Sequence, residues 1–206
     1  MMKIIVFGAT GGVGKYVVQQ GLDAGLEVTA FVRTPAKLEI THENLNIVQG
    51  DAFNKEEVSA AISNHDAVVS CLGSSKGMRK SEELQNMTKN IVEGMKEHNV
   101  ERIVYTASAG VHKELTGIMG KVIMQLLKNA LIDHRAAVGH IQDAGLNCTI
   151  VRPMGLSNKE FTGEYREAAS GVPAKSSSIP RADVAHFIIK ALKDSSYENT
   201  SIGLAT

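Results

Sequence analysis

Neither sign of charge predominates in this chain of 206 residues: Lys plus Arg and Asp plus Glu are 22 each. No whole-molecule field exists to draw it onto nucleic acid or an anionic membrane, so a partner must be recognised locally. Long hydrophobic runs are missing too, none approaching the roughly 20 apolar residues that span a bilayer. The opening Met1 to Gly8 holds an apolar stretch too short for a signal peptide and breaks at once into glycine, which implies a cytoplasmic protein. Cysteine is scarce. Cys71 and Cys148 each sit in an apolar strand-like run with no CxxC or Cys/His spacing nearby, the pattern of buried structural thiols and not of redox or metal sites. Repeats, low-complexity tracts and linkers are absent, so residues 1–206 are expected to form one domain, with 152–206 as a small substrate-cleft segment.

What is present is an alternation of strand-like and helix-like segments. Apolar runs, several rich in Val and Ile, mark strands at Lys3–Phe7, Glu27–Val32, Leu45–Val48, Ala67–Leu72, Arg102–Thr106 and Cys148–Val151. Helical periodicity covers Gly12–Ala24, Asn54–Ile62, Ser81–His98, a long tract from about Leu115 to Ala144 broken near Asp133, and Arg181–Leu192 just after Pro180. Asn54 with Glu57 three residues on has capping-box spacing, and Ser170–Pro180 reads as a loop. Near-continuous apolar strands between helices imply a mostly parallel sheet covered on both faces, an α/β, Rossmann-type doubly wound fold.

The sharpest motif follows the first strand, where glycines at 8, 11 and 14 give G-x-x-G-x-x-G opening the first helix. Gly8 can end the strand in a conformation closed to other residues. Gly11 lets backbone approach a pyrophosphate, Gly14 lets helix pack on sheet, and the helix N-terminus faces the negative charge. Thr10, Gly12 and Val13 lie in the same turn. A Walker A loop fails because Ala9 and Tyr16 stand where it needs Gly and Ser or Thr. The second strand ends Val32-Arg33-Thr34-Pro35-Ala36-Lys37 without the acid that would bind a ribose 2′-hydroxyl. Arg33 can instead clamp a 2′-phosphate with Thr34 and Lys37 in reach, so the cofactor is expected to be NADP(H). After the third strand Asp51 could accept from the adenine amino group, with Ala52 leaving room for the ring, or could cap the next helix.

These residues resemble the atypical short-chain dehydrogenases that include the biliverdin-IXβ reductase (flavin reductase)-like and NmrA-like proteins. The resemblance rests on Gly8-Ala9-Thr10-Gly11-x-x-Gly14, Val32-Arg33, Gly50-Asp51, Asp66-Ala67-Val68, Thr106-Ala107-Ser108, Ala144-Gly145-Leu146, Val151-Arg152-Pro153, Thr162-Gly163-x-Tyr165 and Arg181-x-Asp183-Val184-Ala185. It implies that Leu72, Gly73 and Ser74 run along the nicotinamide half of the cofactor and that Ala107, Ser108, Pro153 and Met154 surround the nicotinamide. Met154 stands where the biliverdin reductases have a histidine, which argues against biliverdin chemistry.

The four tyrosines are followed four residues on by Gln20, Ala109, Ala169 and Ser201, so the Tyr-x-x-x-Lys relay is missing. Hydride transfer to an acceptor that takes its proton from water, such as flavin or quinone, is the chemistry this favours. Ser108 could orient a carboxamide or a substrate carbonyl, or simply hold its own loop. His112 and His134 could reach the cleft, though His134 could equally close off a broken helix; His98, His140 and His186 fall within helical patterns. Met78, Met119, Met124 and Met154 could line a pocket, with core filling the better reading for Met119 and Met124. Two functions remain open: an NADPH-dependent reductase of a flat small-molecule acceptor, and a non-catalytic NADP(H) sensor. No metal site is expected.

Overall fold

The computed structural model describes every residue except 78 and 176, so Met78 lies outside the described residues. In chain order the elements are β1 Lys3–Phe7, α1 Gly14–Asp23, β2 Glu27–Val32, β3 Leu45–Gln49, α2 Lys55–Ile62, β4 Ala67–Ser70, α3 Glu83–Glu97 and β5 Arg102–Thr106. There follow α4 Gly117–Leu126, α5 Lys128–Asp143, β6 Asn147–Pro153, β7 Gly155–Ser157, β8 Arg166–Ala168, β9 Ser178–Pro180, α6 Arg181–Lys193 and β10 Thr200–Ala205.

Eight strands form one sheet in the order β3-β2-β1-β4-β5-β6-β10-β8, parallel throughout except for the β10–β8 pair at one edge. Because successive side chains of a strand point to opposite faces, each central strand feeds two cores. Ile4 and Val6 pack with α1 and α6 residues such as Val17 and Phe187, whereas Ile5 and Phe7 pack with Val58, Leu84, Ile91 and Ile141 on α2, α3 and α5. All four β1 residues are fully buried. The sheet is therefore the doubly wound one expected from the alternation of elements. From β1 the chain builds toward β3 on one side and, from β4 onward, toward β8 on the other. The order reverses between β1 and β4, and a crevice opens beyond their carboxyl ends.

Four strands escaped the hydrophobic pattern. β7, β8 and β9 are three residues each, and β9 occupies the end of the expected Ser170–Pro180 loop, pairing with β7. β10, Thr-Ser-Ile-Gly-Leu-Ala, buries its last four residues and has polar Thr200 and Ser201 at its start. The long helical tract breaks at Leu127, which ends α4 and begins α5, and not near Asp133. Asp133 is fully buried inside α5, where its two carboxylate oxygens accept from the Leu84 and Gln85 backbone N–H groups at 3.1 and 3.0 Å. It caps α3 from outside, a service the local residue Glu82 does not perform. Met119 does not fill the core: it is 71% exposed on α4, a helix whose only buried residue is Gly120.

Candidate functional site

The crevice holds two clefts that share Cys71, Leu72 and Gly73. The first, about 570 Å³, is lined by Gly8, Thr10, Gly11, Arg33, Thr34, Lys37, Asp51, Ala52, Phe53, Ser75, Glu83 and Met87 among others. The glycine turn forms its floor. Gly8 has φ +77°, and a Cβ there would lie 2.6 Å from the Cys71 carbonyl oxygen. A Cβ on Gly14 would overlap the Gly8 carbonyl, so the start of α1 sits directly on the end of β1. Gly11 donates its N–H to Gly8 O at 2.9 Å. The first turn of α1 has no acidic residue and no side-chain cap; Lys15 N and Tyr16 N donate to Gly11 O and Val13 O, and the positive dipole end is left for an anion. A side chain at these glycines would fill the space that backbone needs to approach a pyrophosphate, so the turn fits such a group.

Arg33 and Lys37 are exposed on the rim and enter no ion pair among the described residues. Asp51 does not cap α2. Asn54 does, accepting from Glu56 N and Glu57 N at 3.1 and 3.2 Å, and Glu57 turns back to Asp51 N and Asn54 Nδ2 at 2.8 and 3.0 Å instead of closing a standard capping box. Asp51 Oδ1 accepts from Phe53 N at 3.1 Å, so the residue shapes its own turn while facing the cleft. Ser74 is turned away from the lining. Its hydroxyl donates toward Ser81 Oγ and Glu83 Oε2 at 3.1 and 3.0 Å, and Ser75 lines the cleft in its place. Hydrogen bonds from the Ser75 hydroxyl and amide hold the Glu83 carboxyl below its usual range, against a smaller effect of burial.

The second cleft, about 620 Å³, is lined by Gly12, Val13, Ala107, Ser108, Leu115, Ile123, Leu127, His134, Pro153, Met154, Leu156 and Arg181 among others. The missed strand β10 places one of them: Leu204 O accepts from Met154 N at 2.9 Å, just beyond β6. Ser108 Oγ donates to the next residue's carbonyl at 3.2 Å, so it holds its own loop while facing the cleft. Cys71 is only half-buried and belongs to both linings, a correction to the expectation of a thiol inside a strand. Burial pushes that thiol up to about 12, with Thr106 Oγ1 at 3.6 Å acting weakly against it, so it stays protonated.

His134 closes no broken helix; it lies within α5 and lines the cleft. His112 instead meets Ser201 Oγ through Nε2 at 2.9 Å and is not part of either lining. Arg181 opens α6 and lies over the glycine turn, so close that a Cβ on Gly12 would come within 2.6 Å of its Nε, while Nη1 donates to Asn158 Oδ1 at 2.7 Å. Sequence reasoning placed Ser75 only within a cleft segment of residues 73 to 80, and missed Glu83 and Arg181 as cleft residues. Only Arg181 carried a signal, a cation at a helix start directly after Pro180.

Buried polar groups hold the acceptor-side wall. Arg152 on β6 is 2% exposed, pairs with Glu114 through Nη1 at 2.6 Å, and donates to Gly171 O and to the hydroxyl and carbonyl of Ser201. Burial pushes the Glu114 carboxyl up, but backbone N–H groups and Arg152 outweigh it and leave it below its usual range. Asp183, also fully buried, takes hydrogen bonds from Thr162 N, Thr162 Oγ1 and Gly163 N at 2.7–3.0 Å, tying the loop before β8 to α6. Among the described residues no helix is long and apolar enough to cross a membrane.

Comparison with known proteins agrees with this geometry. The family model described as NAD(P)H-binding matches residues 8–195. An uncharacterised chloroplastic protein of Arabidopsis thaliana is 31% identical over 172 residues, 78% of this chain, and the match spans 61% of that relative's length. A short-chain dehydrogenase/reductase from Veillonella parvula in complex with NADP superposes with a TM-score of 0.84 at 21% identity, covering 100% of this chain and 94% of that one. An anaerobillin reductase from Escherichia coli O157:H7 gives 0.82 at 19% identity, covering 99% and 97%.

Proposed function

Since this chain belongs to the NAD(P)H-binding family, we propose that it is an NADPH-dependent reductase that passes hydride to a flat acceptor such as a flavin or quinone. The observation that carries the reading is the junction of the clefts. A glycine-floored cleft with Arg33 and Lys37 on its rim runs, through Cys71, Leu72 and Gly73, into a cleft walled by Leu115, Ile123, Leu127 and Met154. Bound NADPH would supply the hydride. The glycine turn and α1 would hold the pyrophosphate, Arg33 with Thr34 and Lys37 the 2′-phosphate, Asp51 and Ala52 the adenine side, and Leu72 and Gly73 the passage to the nicotinamide. Ala107, Ser108, Pro153 and Met154 would position the reacting ring, and apolar walls would exclude water while proximity lowers the barrier.

Residues 1–206 act in this reading as one domain whose segment 152–206 completes the acceptor side. The two free thiols suit a reducing cytoplasmic setting. The test is NADPH oxidation with a panel of flavins and quinones. Turnover well above the uncatalysed rate supports the reductase; tight NADPH binding with no turnover across the panel would replace it with a cofactor sensor.

A further inference from the structure

The acceptor cleft contains an imidazole in contact with a buried phenol. His134 lines the cleft. Its Nδ1 lies 3.0 Å from the hydroxyl of Tyr105, and the two rings meet edge to face with centroids 5.9 Å apart at 75°. Tyr105 is fully buried on β5, where its hydroxyl meets Nδ1 and is also acted on by the Thr88 side chain. With Tyr105 as the donor of that bond the imidazole proton sits on Nε2, which has no hydrogen-bond partner among the described residues. The backbone there is pinned as well, because neighbouring Asp133 is locked to the Leu84 and Gln85 amides of α3.

We propose that Tyr105 donates to His134 Nδ1, that the Nε2–H so fixed is the donor for an acceptor carbonyl, and that the acceptor is a quinone. The inference rests on the reductase reading and narrows it. In the reaction NADPH + H⁺ + quinone give NADP⁺ and hydroquinone. The hydride carries two electrons to the quinone, negative charge collects on the carbonyl oxygen facing Nε2–H, and water supplies the proton. His134 keeps its own proton. Burial lowers its imidazolium to about 4 and drives the Tyr105 phenol far above its ordinary value, so neither group charges to relay a proton near neutral pH. A neutral imidazole acting as a fixed hydrogen-bond donor stabilises charge only as it develops. A flavin fits this cleft less well. The pyrimidine edge of its ring system presents an N–H and two carbonyls together and needs several polar partners at once, whereas a quinone carbonyl needs one donor and the rest of its ring suits the apolar Leu115, Ile123 and Leu127.

The test uses the full chain labelled with ¹⁵N-histidine, with menadione as the quinone probe. Long-range ¹H–¹⁵N spectra should show His134 as the Nε2–H tautomer, shifting when menadione is titrated into the NADP⁺ complex. Tyr105→Phe should release the lock and give a mixture of tautomers. In turnover, His134→Leu should lower kcat/KM for menadione by about 100-fold. His134→Gln, which keeps an N–H, should lose much less, and NADPH affinity should stay within about twofold in both variants. An Nδ1–H tautomer, a resonance unmoved by menadione, or a Leu variant as fast as wild type would each overturn the proposal. If the wild-type protein reduces no acceptor, the reductase reading fails by itself, and the menadione titration still decides the donor site.

Discussion

The cofactor-side cleft has a backbone floor at its glycine turn, and the acceptor-side cleft has walls of side chains. On the first, Gly8, Gly11 and Gly14 matter for the atoms they lack, and neighbouring backbone fills the space a Cβ would take. On the second, Leu115, His134 and Met154 matter for what they present, and they are held by groups distant in sequence: Glu114 by Arg152, the backbone at His134 by the Asp133–α3 contact, Met154 by β10. A backbone cradle is written in a few consecutive residues. A side-chain pocket is assembled from several elements and can change its walls without disturbing the cradle.

The largest expected effect tests whether the acceptor wall depends on its buried ion pair. Arg152→Ala leaves Glu114 buried without its partner, which should cost about 3–5 kcal/mol of stability, read as a fall in the urea midpoint. NADPH affinity of the remaining folded protein, measured at low temperature, should hold. A comparable loss of NADPH affinity would mean that the two clefts are one mechanical unit.

The converse change attacks the cradle. Gly11→Val puts a branched side chain where the backbone should meet the pyrophosphate, with its Cβ 3.0 Å from Gly8 O. NADPH and NADH should both bind roughly 100-fold more weakly, about 2.7 kcal/mol. Affinity equal to wild type would remove the glycine turn from the cofactor site.

This asymmetry also explains what could be read without coordinates. The glycine turn, the succession of strands along the chain as far as β6 and the absence of an acid beside Arg33 are local patterns of spacing and residue type. The helical tract was expected to break near Asp133, and only the approach of α3 shows that residue to be a remote cap. β10 was invisible because it opens on polar Thr200 and Ser201 and leaves only a short run, Ile202 to Ala205, with a glycine inside it. Ser74 and Ser75 are indistinguishable by type, and the bonds from Ser74 to Ser81 and Glu83 decide which one turns away.

A smaller effect separates the clefts by pH. Burial lowers the His134 imidazolium from 6.5 to about 4. Between those values the unfolded chain binds a proton that the folded chain does not, so this contribution is intact above pH 6.5 and is lost as pH falls toward 4. Allowing for the partial exposure of the ring, the loss should reach about 2 kcal/mol. Thermal unfolding of His134→Gln should show a correspondingly shallower decline over that window; parallel curves would mean that His134 is protonated in the folded protein.

The finest comparison lies within the cofactor side, between cofactors that differ by one phosphate. Arg33 can meet a 2′-phosphate with two charge-assisted hydrogen bonds, worth on the order of 1.5–3 kcal/mol and pulled to the lower end by its exposure. NADH has no phosphate there and cannot gain them. Arg33→Ala should therefore weaken NADPH binding by about tenfold, or about 1.4 kcal/mol, and leave NADH nearly unchanged. Lys37→Ala should act in the same direction by less, its ammonium being a flexible point charge. Raised salt should narrow the gap between the cofactors in wild type and hardly alter it in Arg33→Ala, because screening removes what the substitution has already removed. Equal losses for both cofactors would mean that Arg33 only supports its loop, and selectivity would then have to come from elsewhere on the rim.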